Sequence, residues 1–539
     1  MTVSTSVATT ARLPSQIPFI IGNEGCERFS FYGMRNVLTT FLITYLLLDV
    51  APGVERETAA KDVMHTFIIG VYFFPLLGGW IADRFIGKYN TIFYLSLVYC
   101  AGQAFLAVFD RSKPGFYLGL GLIALGSGGI KPCVASFVGD QFTQSNKHLA
   151  KVVFDAFYWI INFGSFFASL LIPLLLKTLG PGVAFGVPGV LMFAATVVLW
   201  WGRPQYVMVP ARPDDPHAFS RIVLDALRST ATTTTQARPG LLIACFGVLI
   251  AAVALLRKGA TEIAATLGID LSTPWLTTSL DFVPTFCLAL LALLVCVGAG
   301  AWMQLERVRG KHPDVDVDGV RSVLRVLVLF ALVTPFWSLF DQKTSTWVIQ
   351  AGLMTKPDWF QPSQMQALNP LLVMLMIPFN NLVLYPALRG AGVVVTPLKK
   401  MTVGITFSGI AWVVVGLLQL RLDAGVGFTI LWQVLPYAIL TFGEVLVSAT
   451  GLEFAYSQAP PSMKGVLMSF WLLAVTMGNL WVLLANAAVK NDDVTGLIID
   501  CGFGVTAFQM FFFAGFAFAA AAVFGVVASR YRVVDHYRA

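Results

Sequence analysis

The sequence predicts an all-α polytopic membrane protein, and three observations carry that prediction. Of the 539 residues, 57% are hydrophobic and only 12% are charged, whereas ordinary soluble domains are about a quarter charged. The apolar residues fall in runs of about 20, the length of helix that crosses a bilayer. The net charge of +7 could suggest nucleic-acid binding. We reject that interpretation because the basic residues lie in short loops between apolar runs, as in membrane proteins.

Fourteen apolar runs are candidate membrane spans. Their limits are 17–48, 61–82, 90–109, 115–138, 152–177, 182–201, 239–257, 281–304, 321–350, 367–388, 396–420, 427–455, 465–488 and 503–529. If the N-terminus is cytoplasmic, the inner loops and tails hold roughly twice as many Lys and Arg residues as the outer loops. We therefore expect both termini to be cytoplasmic, as an even number of spans requires.

The order of the spans divides the chain into three parts. Residues 1–202 form a predicted six-helix bundle, 203–310 a cytoplasmic linker with an inserted helix pair, and 311–539 a second six-helix bundle. The polar stretch of the linker has room for one surface helix. A faint repeat supports two equivalent halves, because "GGWIADRFIGKYN" and "LYPALRGAGVVVTPLKK" each give a helix end followed by Arg, Gly and Lys.

The first run carries ionisable side chains where hydrocarbon is expected, namely Glu24, Glu27, Arg28 and Arg35. A charged side chain in mid-membrane is costly unless it is paired or faces water. Even on lenient scales the cost is about 2.5–3.5 kcal/mol. On a helix, Glu24, Arg28 and Arg35 share one face, with Glu27 to one side and Tyr32 near the edge. This polar face indicates a water-filled cavity. The alternative is a salt-bridge network that only ties helices together.

Polar side chains recur in the later runs. They are His65, Tyr72, Lys131, Tyr158, Asn162, Arg325, Trp337, Asp341, Asn369, Glu444 and Glu453. The first half supplies a surplus of positive charge and the second half supplies carboxylates, so a cavity between the halves would suit a zwitterion. A carboxylate in an apolar setting holds its proton to higher pH than in water. The pattern therefore predicts a proton-coupled carrier.

Signatures of other classes are missing from the sequence. It contains no HExxH, GxxxxGK[ST] or GxSxG motif, and its seven cysteines form no CxxC pair. We therefore expect a protein that is not an enzyme and needs no cofactor or metal, with protons as its coupling ion. A receptor or an intramembrane enzyme is the rival class, but a receptor would usually need a soluble sensing domain.

Several long motifs, in the same order along the chain, resemble those of the proton-coupled oligopeptide transporters (the POT family) of the major facilitator superfamily. They are "EGCERFSFYG", "GGWIADRFIGKY", "GSGGIKPCVASFVGDQF", "FYWIINFGSF", "FWSLFDQKTSTW" and "FGEVLVSATGLEFAYSQAP". The resemblance covers most of the chain apart from the inserted pair. It implies the major facilitator fold, with two six-helix bundles and fourteen transmembrane helices here.

The resemblance also implies roles for individual positions. Proton coupling would involve Glu24, Glu27, Arg28, Asp341 and Glu444. The peptide carboxylate would face Arg28, Arg35 and Lys131, and the amino group would be held by Asn162, Asn369 and Glu444. Side-chain pockets would be lined by Tyr32, Tyr72, Tyr158, Trp337 and Trp471. An extracellular gate would contain His65, Arg325 and Asp341. Phe31 departs from the pattern, since many members have a second tyrosine there.

The function implied is proton-coupled symport of di- and tripeptides into the cell by alternating access. The alternative is proton-coupled transport of nitrate, an amino-acid conjugate or a drug by the same fold. The short loop "RLDAGVG" and the inserted pair are typical of bacterial members. We therefore expect a multi-pass protein of the bacterial inner membrane, a monomer in the lipid bilayer. It would accept di- and tripeptides and peptide-like drugs, and would not bind nucleic acid.

Overall fold

The computed structural model describes residues 13–142, 149–211, 216–229, 238–266, 282–458 and 463–531. This part of the chain is helical throughout, apart from turns, short connections and two isolated bridges. The helices that are long enough to cross a membrane coincide closely with the apolar runs of the sequence. The all-α prediction is therefore confirmed.

The twenty α-helices of the described residues are numbered in chain order. They are α1 (Ile17–Phe41), α2 (Val54–Phe73), α3 (Pro75–Ile81), α4 (Gly87–Val108), α5 (Lys113–Asp140), α6 (Ala150–Leu179), α7 (Pro181–Trp201), α8 (Phe219–Arg228), α9 (Pro239–Thr266), α10 (Phe282–Gln304), α11 (Asp314–Asp341), α12 (Thr346–Leu353), α13 (Leu368–Phe379), α14 (Tyr385–Gly390), α15 (Pro397–Asp423), α16 (Val434–Glu444), α17 (Thr450–Gln458), α18 (Lys464–Ala488), α19 (Asp492–Asp500) and α20 (Val505–Arg530).

Within the described residues, twelve helical stretches are long and apolar enough to cross a membrane. One of them, Val54–Val108, is 55 residues long, which at about 1.5 Å per residue is more than two bilayer crossings. Helix α1 is outside the twelve and carries the ionisable residues of the first run, but its 25 residues are also enough to span. With α1 added and the long stretch counted twice, the fourteen predicted spans are present.

Breaks in the long helices have identifiable causes. Pro75 begins α3 directly after α2. Proline has no backbone N–H, so it cannot donate the next hydrogen bond of the preceding helix. Gly87 has φ +77°, a left-handed conformation that glycine adopts without strain, and it starts α4. Five-residue π-helical segments, which often mark functional positions, follow α1, α13 and α16 and precede α4.

The chain forms two compact units, each made of more than one stretch of sequence. The first unit comprises residues 1–57, 73–213 and 356–378. In it α1 packs on α6 and α7, while α4 packs on α5 and α7. Its core is rich in aromatic rings, for example Phe41, which lies 4.7 Å from Phe116 and 4.9 Å from Phe185 between ring centroids. This packing fixes the face of α1 that carries the charged residues.

The second unit comprises residues 58–72, 214–355 and 379–539. Here α11 packs on α18, α20 and α15, α15 packs on α16 and α20, and α9 packs on α10. Close helix approach depends on glycine, because a Cβ at Gly478 would lie 2.6 Å from Cβ of Trp337 and 2.8 Å from the carbonyl oxygen of Thr334. The domain division expected from chain position, 1–202, 203–310 and 311–539, stays a prediction.

The linker contains the expected surface helix, α8, which is amphipathic. Its residues Ile222, Val223, Ala226 and Leu227 are buried against α10, α9 and α11. The side-chain amide of Gln304 donates to the carbonyl oxygens of Ala226, Leu227 and Ser229, at 3.0, 3.3 and 3.1 Å. The last carbonyls of a helix lack the partner that a following turn would supply, and that of Ala226 also accepts from the backbone N–H and the hydroxyl of Ser229. Gln304, the last residue of α10, therefore joins the end of α8 to the end of α10 by hydrogen bonds.

Candidate functional site

The charged residues of α1 form a compact cluster in the first unit. Nε of Arg28 lies 2.6 Å from Oε1 of Glu24 and 2.9 Å from Oε2 of Glu27. Both glutamates are buried. Glu24 and Arg28 are one helical turn apart, which puts them on the same face of α1. The sequence prediction that these three side chains act together is thus matched by their geometry.

The two glutamates are bound to Arg28 in different ways. An arginine Nε carries a single hydrogen, and in Arg28 it is donated to Glu24. Oε2 of Glu27 is therefore close to the positive charge but receives no hydrogen bond, although it is fully buried. Oε1 of Glu27 accepts a 3.3 Å hydrogen bond from the hydroxyl of Ser127 on α5. A buried carboxylate oxygen without a donor is a favourable position for a proton.

The terminal amino groups of Arg28 are available for a ligand. Among the residues that the structure describes, neither Nη1 nor Nη2 donates to a protein acceptor. The side chain of Arg28 is 11% exposed, so its terminal amino groups are accessible while its Nε is held by Glu24. A guanidinium presents paired donors that match the two oxygens of a carboxylate. Arg28 can therefore hold a carboxylate without giving up Glu24.

Lys131 lies beside this cluster on α5. Its Nζ is 4.4 Å from the centroid of the Phe31 ring, and Phe31 is one turn beyond Glu27 on α1. Ser127, which binds Glu27, is likewise one turn before Lys131. The structure therefore brings the predicted carboxylate-binding lysine to the proton-coupling cluster.

The remaining predicted residues of the first unit lie on three helices. Arg35 is buried on α1, two turns beyond Arg28, and Tyr32 is partly exposed between them. On α6, Tyr158 is exposed, while the amide of Asn162 donates to the backbone carbonyl of Tyr158 at 2.9 Å. Asn369 is partly exposed near the start of α13. Tyr32, Tyr158 and Asn369 are thus at least partly accessible, whereas Arg35 and Asn162 are buried, and the ligand-facing roles of all five stay predictions.

His65 is the centre of a second cluster, which lies entirely in the second unit. It is fully buried, and both ring nitrogens are engaged. Nδ1 lies 2.6 Å from Oδ1 of Asn479, and Nε2 lies 2.9 Å from Oγ of Ser345. The amide nitrogen of Asn479 in turn donates to Oδ2 of Asp341 at 2.8 Å. His65 and Asp341, predicted as gate partners, are thus connected through Asn479.

The hydrogen-bond directions in this cluster allow two protonation states. Because Nδ2 of Asn479 donates to Asp341, its Oδ1 accepts, so Nδ1 of His65 carries a hydrogen. The Ser345 hydroxyl can donate to a neutral ring. It can also accept from a protonated ring and turn to the carbonyl of Gln342, 3.4 Å away. The ring can therefore gain or lose a proton without leaving a buried group unsatisfied.

Helix α2 makes further polar contacts with α18 and with the residues that directly follow α18. Nδ2 of Asn486 donates to Oδ1 of Asp62 at 2.8 Å, and Nζ of Lys490 lies 2.5 Å from Oδ2 of the same residue. The Thr476 hydroxyl donates to the backbone carbonyl of Ile69 at 3.4 Å. These contacts extend along the two helices on both sides of the His65–Asn479 pair. The segment 58–72 is thereby tied to α18.

Two tryptophans predicted to line pockets pack on each other in the second unit. The rings of Trp337 and Trp471 are T-shaped, with centroids 5.9 Å apart. Trp471 also covers Gly451, where a Cβ would lie 2.2 Å from the indole. Both rings are almost fully buried, and Tyr72 is partly exposed. Glu444, partly exposed, ends α16 directly before a π-helical segment.

Arg325 does not join His65 and Asp341 in the described part of the chain, so the geometry does not support a gate that contains all three residues. It shares helix α11 with Asp341, but the 16 positions between them correspond to about 24 Å along the axis. The exposed guanidinium of Arg325 instead lies over the ring of Trp302, at 5.6 Å. Chain order could not reveal this, because both residues fall in one apolar run.

The prediction from the sequence did not include the neutral partners of the two clusters. Ser127, Ser345 and Asn479 carry no charge, and single serines and asparagines are common in membrane helices as packing residues. Lys343, which it also passed over, is buried with Nζ 3.3 Å from the centroid of Phe340. A signal was present for Asn479, since it is the one residue with an amide side chain within the apolar stretch "LLAVTMGNLWVLL".

Comparison with known proteins agrees with this arrangement. A mouse protein named Solute carrier family 15 member 2 is 32% identical over 427 residues, which are 76% of this chain and 49% of that protein. A Caenorhabditis elegans protein named Peptide transporter family 1 is 33% identical over 421 residues, 75% of this chain and 45% of the relative. The chain thus spans about half the length of these curated relatives.

Solved structures match over nearly the full chain. A crystal structure described as an auto-inhibited POT family peptide transporter is 62% identical with a TM-score of 0.90, covering 98% of this chain and 99% of that one. The structure of the POT family transporter PepTSo is 61% identical with a TM-score of 0.90, covering 98% and 100%. These relatives are transporters and not enzymes, and such a match supports the expected bacterial type and the major facilitator fold.

A family model described as the POT family matches residues 89–496. This match includes the helices that carry Lys131, Asp341, Glu444 and Asn479. Together with the relatives, it identifies this multi-pass membrane protein as a member of the POT family of transporters.

Proposed function

We propose that the protein carries di- and tripeptides into the cell together with protons, by alternating access. The observation that carries the proposal is the state of Arg28, whose Nε is fixed by Glu24 while its terminal amino groups remain available to a ligand. The relatives and solved structures that match the chain bear names of peptide transporters, which supports the substrate class.

The two ends of a peptide need opposite charges. Arg28, Arg35 and Lys131 supply the positive charge that a carboxylate requires. Glu444 supplies a carboxylate for the amino group, with the amides of Asn162 and Asn369 as neutral acceptors. A zwitterion with separated charges offers an opposite charge to each group, whereas nitrate carries no amino group that Glu444 could bind. This charge balance favours peptides over the inorganic anion of the alternative proposal.

Proton coupling follows from the competition for Arg28. When Glu27 takes up a proton, it no longer balances the charge of Arg28, and the guanidinium is more attractive to a peptide carboxylate. When the proton leaves, Glu27 competes again and the peptide is released. In the second unit, protonation at the His65–Asn479–Asp341 network changes the charge of a buried cluster. Glu27 would thus link proton movement to peptide binding, and Asp341 would link it to gating.

We further propose that the protein lies in the inner membrane of a bacterium, as a monomer with both termini in the cytoplasm. Protons are the only coupling species that the proposal requires, and no cofactor is needed. Peptide-like drugs that keep an amino group and a carboxylate at peptide spacing would share the site.

The test of the substrate class is competition in reconstituted vesicles. Uptake of labelled dialanine is measured with an excess of trialanine, tetraalanine, nitrate or an amino-acid conjugate. We expect di- and tripeptides to compete, and tetraalanine and nitrate to leave uptake unchanged. Equal or stronger competition by nitrate or the conjugate would transfer the assignment to the alternative substrates. Dialanine with a blocked amino group serves as the matched control for Glu444, and it should compete poorly.

A further inference from the structure

The departure at position 31 has a structural counterpart. A tyrosine expected to line a pocket is replaced by Phe31, and its ring is buried, with only 1% of its surface exposed. One face of the ring meets Nζ of Lys131 at 4.4 Å from the centroid. The negative face of an aromatic ring attracts a cation within about 6 Å. A phenylalanine is sufficient for this contact because it uses the face of the ring and needs no hydroxyl group.

We propose that Phe31 is a positioning residue that holds the ammonium group of Lys131 beside the Glu27–Arg28 cluster. The inference rests on the proposed function, in which Lys131 faces the peptide carboxylate. The side-chain contacts between α1 and α5 here include Ser127 with Glu27 and Lys131 with Phe31. On each helix the two contacting residues are one turn apart.

An aromatic ring differs from a carboxylate as a partner for Lys131, because the ring has no proton to gain or lose. The attraction between Lys131 and a carboxylate disappears when that carboxylate is protonated. The attraction to the Phe31 ring does not change with protonation. The ring therefore keeps part of the hold on Lys131 constant while Glu27 exchanges protons, and the ammonium stays in place to receive a peptide carboxylate.

The test weakens the face of the ring without changing the shape of the core. Phe31 is replaced in the full-length protein by 4-fluoro-, 3,5-difluoro- and 3,4,5-trifluorophenylalanine, each fluorine withdrawing charge from the face. The same series at Phe41 is the matched control. That residue is on the same helix and fully buried, but its ring packs on Phe116.

Two readouts are taken from the same preparations. The first is the half-saturating dialanine concentration, together with the maximal rate. The second is the rate at which a small acetylating reagent modifies Lys131 at fixed pH, followed by mass spectrometry. This rate does not depend on transport. We expect both the half-saturating concentration and the modification rate to rise with each fluorine at position 31, by about 2- to 30-fold over the series. The maximal rate should change less, and the Phe41 series should be flat.

The outcomes separate the inference from the proposed function. A modification rate that does not change across the Phe31 series, or changes equally in the Phe41 series, overturns the inference. A rising modification rate with an unchanged half-saturating concentration overturns the part of Phe31 in substrate binding. A rising modification rate in a protein that takes up no dialanine supports the Phe31–Lys131 contact and contradicts the proposed peptide transport.

Discussion

At the scale of single residues, the charges in the membrane were the informative feature of the sequence. Glu24, Glu27 and Arg28 were predicted as one group because burying a charge costs several kcal/mol, about +2.5–3.5 even on lenient scales, and demands a reason. The structure joins them within hydrogen-bonding distance. Neutral partners such as Ser127 and Ser345 give no such signal, because their burial is inexpensive when a backbone carbonyl is near. Only the folded chain shows which of them complete the clusters.

Glu444→Gln tests the carboxylate assigned to the peptide amino group. The amide keeps the shape and the acceptor oxygen but removes the negative charge and the titration. We expect a folded protein whose gradient-driven dialanine accumulation falls to the level of protein-free vesicles. The measurement is uptake with an imposed proton gradient, beside thermal unfolding to verify folding. Accumulation equal to the unmodified protein would remove Glu444 from the proposed mechanism.

Asn479→Leu tests the connection between His65 and Asp341. The change removes the hydrogen bonds that Asn479 makes with His65 and Asp341, and removing one partner of a buried polar group costs about 1–3 kcal/mol. We expect a clearly lower unfolding midpoint in a thermal scan. Thr476→Val on the same helix is the control, since its 3.4 Å bond goes to a backbone carbonyl, and it should cost less than about 1 kcal/mol. Equal effects of the two changes would show that Asn479 contributes no more than an ordinary packing residue.

At the scale of helices, hydrophobic runs predicted the elements well but not their internal breaks. The limits of the runs agree with the helix limits because a bilayer demands about 20 apolar residues per crossing. The π-helical segments after α1 and α16 could not be predicted, since they arise from packing of the helix against its neighbours. Arg325 illustrates the same limit. The family resemblance implied a place for it in the gate with Asp341, yet helix rise places the two residues about 24 Å apart.

Gly78→Ala tests the close approach of α3 and α5. A Cβ at Gly78 would lie 2.1 Å from the backbone carbonyl oxygen of Gly129, a fixed atom that cannot rotate away. We expect destabilisation of about 1–3 kcal/mol, seen as a lower unfolding midpoint. Gly79→Ala is a matched control on the next residue, where the nearest atoms belong to Pro132 at 3.9 Å. If both variants unfold at the same temperature, the close contact is not required for stability.

At the scale of the whole molecule, composition and motif order predicted a membrane transporter. They did not predict the long-range contacts of the linker. Helix α8 is held at its end by Gln304 and by a small charged cluster. Oδ2 of Asp225 lies 2.8 Å from Nζ of Lys311 and 2.9 Å from Nε2 of His312. Nδ1 of His312 lies 3.0 Å from Nδ1 of His217. These residues are far apart in sequence, and no local pattern indicated that they meet.

The linker cluster predicts a pH dependence in the acid range. The hydrogen bond from Lys311, and after it the one from His312, lowers the pKa of Asp225 below its usual range. A carboxyl with a lowered pKa in the folded state stabilises the fold above its unfolded value of about 3.9, and this stabilisation is lost as pH falls through the lowered pKa. We therefore expect amide exchange in 219–228, corrected for intrinsic rates, to accelerate selectively below about pH 4.

The control for this dependence is helix α7, whose protection is obtained from the same samples and should not follow the same curve. Asp225→Asn should give the accelerated exchange of α8 already at neutral pH. Identical protection of α8 in the variant and the unmodified protein at neutral pH would contradict the assigned role of Asp225.

In the proposed function, this POT family member uses a proton gradient to move peptides. The most direct measurement is dialanine accumulation in vesicles containing the purified protein, with an imposed inward proton gradient and no other energy source. We predict accumulation above the external concentration, which an ionophore that collapses the gradient abolishes. Dialanine that only equilibrates, at the same rate with and without the gradient, would contradict the account.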